Sequence, residues 1–351
     1  KTIKKGSSPE LKIIDIEIEE KATGEISVGA GIGTSGSTLG FSLSENNFMG
    51  KGIRLNTSLN ITNQSFTGTF AITNPNYNYS GNSVTTSFAK SSIDRSKDFG
   101  YQTDKILFNM STYFEQYEDI FLAPEIAFSH ENLQTDSKAS SSMQKQEGKY
   151  FDTYLMYSII KDKRDQRFQP TEGYRLAFVQ DLPFYSDTPI IKNGVDFSTY
   201  YPIKDKIVAA IKFYSRAITS ISSDKDVRLS KRLHLPERRL RGFERGKIGP
   251  IDNGDFIGGN YATALSFQTS FPKLLPALQN ADFSLFLDAG NVWAVDYDDK
   301  LDDSNKIRSA FGLAANWFTV VGPLSFSLSQ DLTKGSNDIT ESFRFNLGTT
   351  F

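Results

Sequence analysis

The sequence predicts an all-β fold, a transmembrane antiparallel β-barrel of 16 strands. Three observations carry that expectation. Apolar and polar residues alternate with period two almost from end to end, the signature of strands with two unlike faces. The polar positions are filled by Gly, Ser, Asn and Arg in strand after strand, as a water-filled lumen requires. Aromatic residues gather near strand ends, as in Tyr77 and Tyr79, Phe114 and Tyr117, or Tyr200 and Tyr201, where an interfacial belt would place them. Alternation alone equally fits a soluble sandwich whose apolar face points to a core. The lumen-type polar faces, the aromatic belts and the alternation of short turns with longer polar loops favour the barrel.

Residues 1–23 stand apart. Leu11 to Glu20 alternates but is heavily charged, and reads as the last strand and linker of a small soluble domain lying before Lys1. The barrel is expected over 24–351. Its opening segments are 24–34, where Ile26, Val28, Ala30 and Ile32 alternate with Ser27 and glycines, 37–46 with Leu39, Phe41 and Leu43, and 51–62 with Ile53, Leu55, Leu59 and Ile61. The segments 65–74, 82–92, 101–117, 120–132, 149–161, 173–183, 193–203 and 206–219 continue the pattern. The series closes with 259–271, 282–292, 306–318, 323–332 (Leu324, Phe326 and Leu328 opposite three serines) and 340–350 (Phe343, Phe345 and Leu347 opposite Arg344, Asn346 and Gly348). An even strand count puts both barrel ends on one side, and the long connections 133–148, 220–258 and 293–305 then all fall on the other. The polar stretch Ser137 to Lys149 reads as a mobile loop.

Composition narrows the function classes. No run approaches the roughly 18 apolar residues of a membrane-spanning helix. A net charge of −2 gives no overall argument for nucleic acid. Cysteine is absent, so thiol chemistry and disulfides are excluded. His130 and His234 are too few and too far apart for a metal site or a triad. Gly31-Ile32-Gly33-Thr34-Ser35-Gly36 has dinucleotide-type glycine spacing, but strand alternation rather than a helix follows it. Asp296, Asp298, Asp299, Asp302 and Asp303 lack calcium-loop spacing and read as a solvated outer loop. No metal, no cofactor and no converging nucleophile, base and acid are expected.

Two segments carry chemistry. Leu285 to Trp293 reads as a strand with Leu285, Leu287 and Ala289 on the greasy face and Phe286, Asp288 and Gly290 on the other. An acid in mid-strand is costly unless it faces water or a partner. A partner is available upstream in Arg238 to Pro250, where Arg241 can offer a carboxylate a two-pronged hydrogen bond. Read alone, Arg241 fits better as one solvated loop cation among several. Glycines at Gly24, Gly29, Gly31, Gly33 and Gly36 weaken the first strand, and Gly348 sits near the end of the last, so the two would meet in a poorly zipped seam. The same glycines could instead relieve crowding in a small lumen.

Five segments together resemble the BamA family, within the wider superfamily of POTRA-bearing outer-membrane barrels. They are Thr23 to Gly31, Ser44 to Gly52, the turn Arg164 to Gly173 (similar to D-x-x-F-x-P-x-x-G), the loop Arg241-Gly242-Phe243 with Gly249-Pro250 and Gly258-Gly259-Asn260, and the acidic strand Phe286, Asp288, Gly290 and Trp293. The resemblance implies that the sixth outer loop inserts into the lumen, that Arg241 meets Asp288, and that residues 1–23 are the tail of a periplasmic POTRA domain. The family often carries Glu where this chain has Gln268, which leaves Arg241 and Asp288 as the main pair. Phe343, Phe345, Leu347 and Phe351 resemble the C-terminal sorting signal of outer-membrane proteins, although an ordinary lipid-facing strand would look the same. The function implied is folding and inserting client β-barrels into the bacterial outer membrane through a lateral seam between first and last strands, without enzymatic activity. The implied partners are unfolded outer-membrane clients, outer-membrane lipid and accessory Bam lipoproteins recruited by POTRA domains outside this chain, with no nucleic acid. The alternative within the superfamily is a two-partner-secretion transporter passing one polypeptide through the pore.

Overall fold

The computed structural model describes residues 2–5, 8, 10–16, 19, 21–204, 207–272, 274, 281–301, 303–319 and 322–348. In chain order the strands are β1 (Thr2–Lys5), β2 (Lys12–Asp15), β3 (Gly24–Gly33), β4 (Gly36–Phe48), β5 (Ile53–Thr62), β6 (Ser65–Tyr77), β7 (Asn82–Arg95), β8 (Tyr101–Tyr117), β9 (Ile120–Thr135) and β10 (Gly148–Asp162). They continue as β11 (Gly173–Ser186), β12 (Ile190–Lys204), β13 (Ile207–Ser220), β14 (Ile251–Asp252), β15 (Asp255–Phe256), β16 (Tyr261–Pro272), β17 (Ala281–Trp293), β18 (Arg308–Thr319), β19 (Gly322–Thr333) and β20 (Phe343–Gly348). β3 to β13 and β16 to β20 form one closed barrel of 16 strands, each antiparallel to its neighbours. β1 and β2 form a separate two-stranded sheet.

The alternation explains the barrel directly. Ile26, Val28, Phe41, Leu285, Leu287, Leu313 and Leu328 all point outward and are exposed, as side chains bathed in lipid are. Phe286, Asp288, Ser266, Ser327 and Arg344, one position out of phase, are buried on the inner side. A one-residue slip would exchange the two sets, so the pattern pins the register.

The apolar core lies inside the cylinder, between the loop 221–260 and the wall. Leu233, Leu235, Leu240, Phe243 and Ile248 of the loop pack with Tyr214, Ala262, Ala264, Val292 and Ala310 of the strands. Small wall residues leave room for large loop residues, which is why this long connection is ordered. Within it Asn253 and Gly254 both take positive φ (49° and 94°) and turn β14 into β15, the conformation for which an Asn-Gly pair is the usual hairpin signal.

Several boundaries depart from expectation. Strand pairing reaches Phe48, Arg95, Thr135 and Ser186, beyond the ends expected for those segments. β16 begins at Tyr261, because Gly259 pairs instead with Leu233 of the loop. Among the described residues the last strand is Phe343–Gly348, beginning late because Thr340 bridges Phe243 of the loop; Phe351 lies outside the described residues. The stretch expected as a mobile loop carries a helical turn, Ser141–Gln144. There Met143 is fully buried and Ser140 donates to Asp252 at 2.5 Å, so it packs as part of the outer cap.

Candidate functional site: the lumen loop, its wall contacts and the seam

The loop descends from the outer end, where the long connections lie, and brings Arg241 to β17. Arg241 donates from Nε to Asp288 Oδ2 at 2.7 Å and from Nη2 to Oδ1 at 2.8 Å, while its backbone N–H donates to Oδ2 at 3.1 Å. Its guanidinium also lies 3.6 Å from the centre of the Phe286 ring. Asp288 is fully buried, so three charge-assisted bonds offset the cost of removing its carboxylate from water. The Arg241 Nη2 donates further to Ser266 Oγ at 3.2 Å. Ser266, directly opposite Asp288 on β16, was not among the expected site residues. Gln268 faces the lumen but bonds elsewhere, accepting from Lys212 Nζ at 3.2 Å and donating to Ser270 at 3.1 Å.

The residues around Arg241 hold the descent in place. Gly242 takes φ +91°, and a Cβ there would stand 2.7 Å from that of Ala310, so both backbone and space demand glycine. Phe243 is buried against the wall, and its carbonyl accepts from Arg344 Nη2 on β20 at 2.8 Å. Arg344 also ion-pairs with Glu237 at 3.1 Å and with Glu341. Gly249 lies against Val292, Pro250 is fully buried, and Gly290 lies beneath Leu235.

Charge networks that the sequence did not announce tie the rest of the loop, and neighbouring outer connections, to the barrel. Arg228 is buried and pairs with Asp152 at 2.6 Å and Glu131 at 3.2 Å, and Lys231 reaches Asp152 at 3.2 Å. Arg232 pairs with Asp296 and donates to Asn260 at 2.9 Å. Arg308 pairs with Asp303 and, at 2.8 Å, with Asp338. Asp296 and Asp303, expected in a solvated acidic loop, are therefore structural anchors. His234 packs edge-on to Phe99, with ring centres 5.2 Å apart, and both its ring nitrogens are buried without hydrogen-bond partners. Burial first, then the nearby Arg95 and Arg245, hold its pKa down to about 3.

The seam is short. β20 meets β3 through Asn346 with Gly33, Leu347 with Ile32 and Gly348 with Gly31, three pairs among the described residues. The next joint, β3 with β4, runs through ten pairs from Gly24 to Gly33, including Gly29 with Gly40. Gly348 is pressed so close to the Gly31 backbone that no side chain fits, so the glycines set a tight but brief contact. Phe343 is exposed on the outer face, with Phe345 and Leu347 half-exposed.

Comparison with known proteins places this geometry. The Omp85 superfamily domain matches residues 47–351. "Outer membrane protein assembly factor BamA" of Neorickettsia risticii is 23% identical over 97% of this chain and 46% of its own length. The BamA of Neisseria meningitidis serogroup B is 33% identical over 32% of this chain and 17% of its own length. This chain thus spans about half or less of the length of these relatives. The crystal structure of BamA from Haemophilus ducreyi lacking POTRA domains 1–3 superposes with a TM-score of 0.85 at 24% identity, covering 95% of this chain and 71% of that one. CdiB from Acinetobacter baumannii shares the barrel more distantly, with a TM-score of 0.57 at 14% identity over 92% of this chain and 59% of its own.

Proposed function

Since the chain belongs to the Omp85 superfamily, we propose that it folds and inserts client β-barrels into the bacterial outer membrane through the seam between β3 and β20. The observation that carries this reading is the closure itself, three pairs among the described residues, beside a β3–β4 joint of ten pairs. Parting it exposes a row of unpaired N–H and C=O groups on β3, which template an incoming strand by β-augmentation. Binding energy then comes from strand pairing, and no covalent step is required. The ion pair of Arg241 with Asp288 fixes the loop that fills the upper lumen, so that the wall keeps its shape while the seam moves. Unfolded outer-membrane proteins are the clients. The β1–β2 hairpin is the tail of a POTRA-type domain, whose neighbours outside this chain recruit the accessory lipoproteins. The named assembly-factor relatives support this reading.

Depletion in cells tests it. Loss of outer-membrane barrels in general is the expected result, and normal levels of all but one exported protein would overturn it. That second outcome belongs to the transporter alternative. The likeness to CdiB barrels is one of fold, and a polypeptide passing through the pore would first have to displace the loop packed against the wall.

A further inference from the structure

The inner half of the lumen has a charge pattern that loop docking does not use. A cavity of about 860 Å³ lies below the loop tip, at the end of the barrel where the short turns lie. Arg175, Lys212, Arg238 and Arg245 line it together with the paired Arg241 and Arg344, and Glu237 is the one carboxylate among its lining residues. Glu237 is already taken by Arg344. Arg175, Arg238 and Arg245 make no ion pair with any described residue, and Lys212 has only the neutral amide of Gln268. The chain as a whole carries a net charge of −2, so this local excess of cations is a feature of the place. A recess of one sign between low-dielectric walls focuses its field on an entering ion.

Position identifies the ligand. Arg238, Asn316, Ser325 and Asn346 also line a second cavity of about 850 Å³ that runs to Gly31, Gly33 and Gly348 at the seam. A strand paired to the β3 edge would turn every second side chain inward, toward this shared wall. We propose that the basin is an acceptor site for carboxylate-bearing extended peptide, so that an incoming strand is favoured when its inward-facing residues are Asp or Glu. The reading rests on insertion at the seam and adds a chemical preference to it. Selection at this basin is electrostatic and weakens with salt.

The test uses the chain reconstituted in liposomes and two labelled ten-residue peptides with the same apolar residues at alternate positions. One carries Asp at the intervening positions and the other Asn. At low salt the Asp peptide should bind at least tenfold more tightly, and the preference should shrink below twofold in 0.5 M salt. The combined change Arg175→Gln, Arg238→Gln and Arg245→Gln should remove the preference while leaving affinity for the Asn peptide unchanged. Arg238→Glu with Arg245→Glu should turn it toward a Lys-bearing peptide, which keeps the test valid should the triple variant fold poorly. Equal affinity for both peptides in the unaltered protein, or a preference that survives both sets of changes, would overturn the site. Insertion of a full client barrel into the same liposomes is scored in parallel. Client insertion without peptide preference removes the basin and leaves the insertion reading standing; preference without insertion does the reverse.

Discussion

Arg241 of the lumen loop and Asp288 of β17, 47 positions apart in sequence, are joined by two parallel hydrogen bonds of 2.7 and 2.8 Å, with the carboxylate closed off from water. Removing either partner leaves a buried charge without its counterpart, which costs about 3–5 kcal/mol. That loss falls on loop docking, because the strand ladders are untouched. Arg241→Ala and Asp288→Ala should each make the loop susceptible to protease and impair cell growth, with a much smaller change in barrel melting. Normal growth of cells depending on either variant would refute the role given to the pair.

A crosslink tests the seam directly. Ile32 and Leu347 are cross-strand partners on β3 and β20, a spacing compatible with a disulfide. With Ile32→Cys and Leu347→Cys oxidised, client insertion into liposomes should fall to background and return on reduction. Insertion unaffected by the locked seam would exclude passage between these strands.

The outer cap should open when its charge centre is removed. Asp152 is fully buried and serves both Arg228 and Lys231. Asp152→Ala leaves those cations with Glu131 alone, at a cost of about 3–5 kcal/mol. The expected readout is conductance in planar bilayers, with open events becoming several-fold more frequent. A variant as quiet as the unaltered protein would show that the apolar packing of the loop suffices.

Acid should loosen the loop through His234. Its pKa is held down to about 3 when docked, whereas a free imidazole titrates near 6.5. The undocked state therefore takes up a proton first. Docking is fully stable above about pH 6.5 and weakens as pH falls toward 3, by up to about tenfold per pH unit. Protease cutting in the loop should rise between pH 7 and pH 5, and His234→Phe should flatten that rise.

The barrel and one contact of its interior were legible because each has a local signature. Alternation separates lipid-facing from inward side chains along most of the strands, and Asp288 stands out as an acid in mid-strand. Arg241 became legible through the company of Gly242, Phe243 and Pro250. Ser266 was not, since a serine on a lumen face resembles every other until register sets it opposite Asp288. The Arg228 network was hidden for a related reason. Arg228 and Asp152 lie 76 positions apart, and neither segment departs from what a solvated loop or lumen wall would show. The Asn253-Gly254 turn did carry a local signal, a hairpin signature inside a connection that otherwise reads as irregular.

Arg344 makes the two sides of the closure unequal. By holding the carbonyl of Phe243 and the side chain of Glu237, it moors β20 to the plug from within, while no described bond ties β3 to that plug. Were the cylinder to split at the proposed seam, the final strand would stay berthed and the first would swing away with its hydrogen-bonding edge bare. A guest strand would then meet a mobile host on one flank and a fixed rail on the other.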